Sequence, residues 1–147
     1  MQMLGKQDTQ TSILDLESWL PSPLVDPNSI YGIMAQWGNR LIQDSDFTNL
    51  YSHTGRPSDS PALLSKVLLL MYHDDVSDRE AEERAKFDLR WKVALRLPLD
   101  EAGFDHTALC RFRSRLLINN KQKIVFERFI NLAKEAGIVK ENGMQII

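Results

Sequence analysis

Cysteine is almost missing from this 147-residue chain. The single thiol, Cys110, rules out an internal disulfide and cannot hold a zinc ion alone. Its simplest place is as a small buried or half-buried residue in a reducing compartment. Long apolar runs are also missing. The longest, such as Val67 to Tyr72, fall far short of the roughly 20 residues that span a bilayer. The polar stretch Lys6 to Ser12 lacks the apolar centre of a signal peptide. The seven glycines are scattered, and none follows a strand in the spacing that cradles phosphate. There is no nucleophile elbow and no paired His/Cys metal spacing. His53, His73 and His106 fall in different elements. His73 with Asp74 and Asp75 reads as a solvated helix end rather than a metal corner. Enzyme chemistry is thus poorly provided for, and the composition calls for no cofactor and no metal.

What remains is an ordinary globular composition, 43% hydrophobic and 26% charged, in a chain long enough for one domain or a domain plus an arm. The net charge of −2 gives no global attraction for nucleic acid. Its distribution is uneven. Residues 1–50 set Lys6 and Arg40 against Asp8, Asp15, Glu17, Asp26, Asp44 and Asp46. Residues 105–128 reverse the balance, with Arg111, Arg113, Arg115, Lys121, Lys123 and Arg128 against Asp105 and Glu127. Basic residues gathered in one segment are the footprint expected when a near-neutral protein touches DNA.

Periodicity and punctuation predict an all-α fold. Asp26-Pro27-Asn28-Ser29 opens a helix, with Pro27 in its first turn, that carries Ile30, Ile33, Met34, Trp37 and Leu41. Ser60 caps the next helix and Pro61 is its first residue. Leu63, Leu64, Val67, Leu68, Leu70, Met71 and Tyr72 make that helix apolar around most of its girth, so it belongs at the centre. Ser77-Asp78-Arg79-Glu80 has the capping-box pattern, and its Glu80, Glu82 and Glu83 alternate with arginines as on an exposed salt-bridged helix. Asp88 caps a further helix to about Leu97. Asp105 caps one over about 106–117, broken by Asn119-Asn120. The last runs from about 121 to 136 and stops at Gly137 in left-handed geometry. Trp37 and Trp91 lie on apolar stripes, as core residues do. Trp19, among prolines, is placed to pin the arm. Residues 1–29 are expected to be a flexible N-terminal arm, 30–140 a compact multi-helix domain, and 141–147 a strand cut short.

The segment Asp105 to Leu116 has two chemistries on two faces. Leu109, Phe112 and Leu116 recur at helical spacing and form one apolar stripe. Arg111 and Arg115 are one turn apart and point elsewhere, beside Thr107, Ser114 and Ile118, while Arg113 lies on a third side. A helix that packs on one side and offers arginines on another suits phosphates or base edges. The same spacing also fits a solvated basic face. On the DNA reading, Arg111 and Arg115 are the leading contacts, Arg113, Lys121 and Lys123 are phosphate neighbours, Thr107 shares the face, and Arg56 is a loop candidate whose alternative is a salt bridge onto an acidic helix.

Three motifs stand in order: Gly55-Arg56-Pro57, then Ser77-Asp78-Arg79-Glu80-Ala81-Glu82-Glu83-Arg84 with Leu89-Arg90-Trp91, then Phe104-Asp105-His106-Thr107-Ala108-Leu109-Cys110-Arg111-Phe112-Arg113-Ser114-Arg115-Leu116. Over about residues 15–147 the chain resembles the N-terminal domain of InsH-type bacterial insertion-sequence transposases. The resemblance implies a helical region ahead of a ribonuclease-H-like catalytic domain of the DDE type, with Gly143-Met144-Gln145-Ile146-Ile147 as the start of its first strand. It implies a role in DNA transposition, with double-stranded DNA at the element's terminal inverted repeats as partner. It also implies a bacterial cytoplasmic, nucleoid-associated location and no nuclease activity for this stretch alone, since the metal-binding carboxylates lie beyond it. A helix-turn-helix-like unit is expected from the helices at 78–87 and 89–97, or from the second of these with 106–117, although Pro98 to Gly103 is long for a compact turn. The alternative function is a protein–protein module that pairs subunits as a homodimer or braces the catalytic domain.

Overall fold

The structure is a computed structural model that describes Gly5, residues 25–50 and 59–135, and Gly137. Trp19, the Arg56 loop, most of the expected arm and the C-terminal strand lie outside the described residues. Within them the chain is all-α: α1 Ile30–Leu41, a 3-10 segment Asp44–Leu50, α2 Pro61–Asp74, α3 Asp78–Phe87, α4 Leu89–Leu95, α5 His106–Ile118 and α6 Gln122–Glu135.

Local side-chain chemistry starts helices α1 to α5. Ser60 Oγ accepts from Leu63 N at 3.1 Å, with Pro61 in the first turn of α2. Ser77 caps α3, and Asp88 both ends α3 and caps α4, so the two helices are joined by one residue. The turn at Asp26–Pro27 precedes α1 rather than entering it, and Ser29 is the cap. Pro27 is excluded from the helix because the turn crosses back over α1. A Cβ on Gly32 would lie 2.3 Å from the Asp26 carbonyl oxygen, so only glycine fits there.

Helix α2 is the centre of the fold, with every residue from Pro61 to Met71 buried. The 3-10 segment, α1, α3, α4 and α5 all pack on it, while α1 also lies along α4 and α6. Phe47 of the 3-10 segment meets Phe112 of α5 edge to face, 5.7 Å between ring centres. Trp91 is fully buried, as its stripe requires, and Trp37 is partly buried beneath the Arg40 guanidinium. Tyr72 departs from the expected apolar set: it is 78% exposed, on the side of the last turn of α2 away from the one that Asp74 presents to α1, α3 and α4.

Helices α2, α4 and α5 are each followed by a non-glycine residue in left-handed geometry, Asp75, Arg96 and Asn120, all with φ 54°. At each, the next amide bonds back to the helix, as in Leu97 N to Lys92 O at 2.9 Å. Asp75 combines this backbone cost with a carboxylate at a helix C-terminus, where the macrodipole is also negative. Asp75→Gly is therefore expected to stabilise the fold by about 0.5–1 kcal/mol, read as a higher urea midpoint at unchanged slope.

Candidate nucleic-acid interface

Helix α5 is anchored at its start by two carboxylates. Asp105 Oδ1 accepts from Thr107 N at 3.0 Å, and Glu82 of α3 accepts from His106 N at 3.0 Å. The bond from Thr107 holds the Asp105 carboxyl below the usual aspartate range. Glu82, Asp105 and His106 bring ligand atoms within 4.8 Å of one another, an arrangement that their capping of α5 accounts for. Ala108, Leu109, Phe112 and Leu116 are buried, so the predicted apolar stripe faces the core.

The predicted arginines separate in space. Arg111 is exposed with Thr107 and Ser114, and Ile118 beside them is 83% exposed. Arg115, half-buried, is on the same side. After the Asn119–Asn120 turn come Lys121, half-buried, and Lys123, exposed. Arg113 is turned the other way, into an ion pair with Asp78 at the start of α3. Burial opposes its charge, but the Asp78 carboxylate outweighs that and raises the Arg113 pKa above the ordinary value. Burial likewise pushes Asp78 up, yet hydrogen bonds from Cys110 and Arg113 bring it below the usual aspartate range. Arg113 thus makes a salt bridge onto the acidic helix; Arg56, for which the sequence suggested one, lies outside the described residues.

Cys110 is exposed, not buried or half-buried as expected. It sits one residue past Leu109, off the apolar stripe, and its thiol donates to Asp78 Oδ2 at 2.8 Å. That hydrogen bond, with some burial, raises the thiol pKa and leaves it a poor nucleophile at neutral pH.

Of the two helix-turn-helix-like arrangements, α3 and α4 do pack on each other across Asp88, whereas α5 packs on α3 rather than on α4. The helix that carries the arginines is therefore braced by the acidic helix.

Three polar residues hold this frame: Lys92 and Lys66, which the sequence did not single out, and Asp74, which is a buried acceptor rather than part of the expected solvated helix end. Asp74 Oδ1 accepts from Tyr31 Oη at 2.7 Å and meets His73 Nδ1 at 2.6 Å. Its Oδ2 accepts from Trp91 Nε1 at 2.8 Å and Arg84 Nη1 at 3.1 Å. The polar neighbours His73 and Asp75 suggested solvent there, whereas the partners that bury Asp74 come from distant helices. Lys92, buried, donates to the carbonyls of Pro98 at 3.2 Å and Glu101 at 2.7 Å, and so pins the loop leading to α5. Lys66, fully buried, donates to Asn39 Oδ1. Both lysines lie inside apolar runs, which was a readable sign of their burial.

Fold and surface together define an all-α domain with a basic helix face. A family model described as a transposase domain (DUF772) matches residues 22–115, and the chain belongs to that family. The match runs from before α1 to Arg115, so it includes Arg111 and Arg113 as well. No curated protein and no solved structure gives a significant match. Among the described residues no helix is long and apolar enough to cross a membrane.

Proposed function

We propose that this domain docks its transposase on double-stranded DNA at the terminal inverted repeats of the element, through the exposed face of α5. The observation that carries this reading is the placement of Arg111 with Thr107, Ser114 and Arg115 on the side of α5 away from its buried stripe. Family membership supplies the DNA context, and the face supplies cations and hydroxyls of the kind that position a protein on phosphates. Lys121 and Lys123 extend the face past the turn, and Arg56 remains a candidate outside the described residues. Arg113 would have to leave Asp78 to take part, so its role in this reading is to hold α5 against α3. Thymine methyl contact by Ile118 would fit a major-groove approach.

In the same reading, strand cleavage and joining belong to another part of the transposase. Several of the described carboxylates are already engaged in the fold: Asp44 and Asp88 at helix starts, Asp74 in its hub, Asp78 on Arg113 and Glu82 on α5. A two-metal centre needs carboxylates clustered and free to hold ions. The boundaries that follow are an arm before residue 30, a helical domain over 30–140 and catalytic-domain sequence after it.

The test is fluorescence anisotropy of the full chain with element-end and scrambled duplexes, titrated across salt. Arg111→Glu with Arg115→Glu is expected to weaken binding at least tenfold and to reduce the salt slope by about 2, one unit per lost phosphate contact. Unchanged affinity in a variant with native helicity would remove α5 from the interface.

A further inference from the structure

We infer that Asp59 is a specificity-determining residue of the DNA-docking face, where its carboxylate accepts from the N4 amino group of a cytosine in the major groove. This rests on the docking proposed for α5.

Helices α2 and α5 run in the same sense. The last turns of both, with Tyr72 and Leu117, line an apolar groove of about 660 Å³ that they share with α6. They have 14 and 13 residues, so their first turns also lie side by side. The 3-10 segment ties that end together. Asp44 Oδ1 accepts from Ser60 Oγ at 2.6 Å and from Ala62 N at 3.0 Å, and Phe47 packs on Phe112. Asp59 is exposed at this end, one residue before the cap of α2, within electrostatic reach of both Arg111 and Asp105. A negative charge is thus set into the side of α5 that carries the cations.

The fold gives that charge no partner. Ser60, not Asp59, caps α2, and among the described residues no hydrogen bond or ion pair engages the Asp59 carboxylate. On a DNA-docking face it is repelled by the phosphates of every duplex, so it counts against indiscriminate binding. What a carboxylate can gain in the major groove is a donor, because its oxygens only accept. Cytosine offers N4–H₂ there, whereas thymine places an O4 acceptor and a methyl group in the equivalent position. Adenine also has an amino group, but its N7 acceptor lies beside it and repels the second carboxylate oxygen. Arg111 on a neighbouring phosphate offsets the repulsion at a matched site.

Fluorescence anisotropy of the full chain tests this with an element-end duplex, a scrambled duplex, and element-end duplexes in which single C·G pairs are changed to T·A. Asp59→Ala is expected to bind the scrambled duplex several-fold tighter but the element end no tighter, so their affinity ratio falls about tenfold. In wild type one C·G change should cost about tenfold, and in Asp59→Ala the same change should cost nothing. Asp59 is exposed and Ser60 keeps the cap, so the variant should retain native helicity. Equal changes for both duplexes, or the lack of any C·G penalty that depends on Asp59, overturn the inference while leaving docking through α5 intact. A wild-type chain without salt-sensitive binding to any of the duplexes overturns both.

Discussion

Asp74→Ala is expected to destabilise the domain by about 3–5 kcal/mol, the range for removing one partner of a buried ionic network. The side chain is 6% exposed and receives donors from three helices, Tyr31 of α1, Arg84 of α3 and Trp91 of α4, besides its neighbour His73. Alanine leaves the Trp91 indole N–H without an acceptor inside the core and Arg84 without its carboxylate. Asp74→Asn keeps one acceptor oxygen, so it should cost clearly less. The acid limb should show the same hub. Burial pushes the Asp74 pKa up, but the bonds from His73, Tyr31 and Trp91 outweigh it and hold the carboxyl below the usual range. A depressed carboxylate contributes stability above its unfolded pKa of about 4 and loses it as pH falls through the folded value. Urea titrations of wild type and Asp74→Ala from neutral pH downward should therefore converge in acid. A wild-type curve that stays parallel to the variant would refute the assignment.

The second large effect lies at the other end of the pH scale. Burial lowers the Lys66 pKa to about 7, with Asp44 pulling it up and Arg96 pushing it further down. In the unfolded chain it titrates near 10.4. Between these values the unfolded state binds the extra proton, so stability rises with pH. The gain from pH 7 to pH 10 should be on the order of 3–5 kcal/mol, with Lys92, also lowered by burial, adding in the same direction. Tyr31 reverses the trend: burial and its bond to Asp74 raise it to about 12, so its contribution is lost as pH passes from 10 to 12. Lys66→Met removes the charge at similar length. Asn39 loses one donor, but the alkaline rise should be largely flattened and stability at pH 7 should not fall by more than about 1 kcal/mol. A variant that retains the full rise would show that the Lys66 ammonium is not the group responsible.

These two residues mark where sequence reading stops. Lys66 stands between Ser65 and Val67 in a helix apolar around its girth, so its burial was implicit in the run. Its acceptor, Asn39, is 27 residues away and could not be read. Asp74 looked like a solvated helix end because two of its neighbours, His73 and Asp75, are polar. The donors that bury it arrive from α1, α3 and α4, up to 43 positions distant. Cys110 and Tyr72 were misplaced for a related reason. Helical spacing gives a residue's angle around its own axis, not which neighbour covers that angle.

The sequence alone determined the all-α class, the transposase family and the starts of α2 to α5. The starts are local: Ser60, Ser77, Asp88 and Asp105 accept from amides two or three residues ahead, and capping needs no distant partner. It also determined that Arg111 and Arg115 share a side of α5, since 3.6 residues per turn is a property of the helix itself. Only the tertiary structure decided that Arg113 is bound to Asp78, that Asp74 ties three helices together, and that α2, α5 and α6 leave an apolar groove. These depend on how helices far apart in the chain come to lie beside one another. That arrangement follows from the summed burial of many apolar side chains rather than from any one motif.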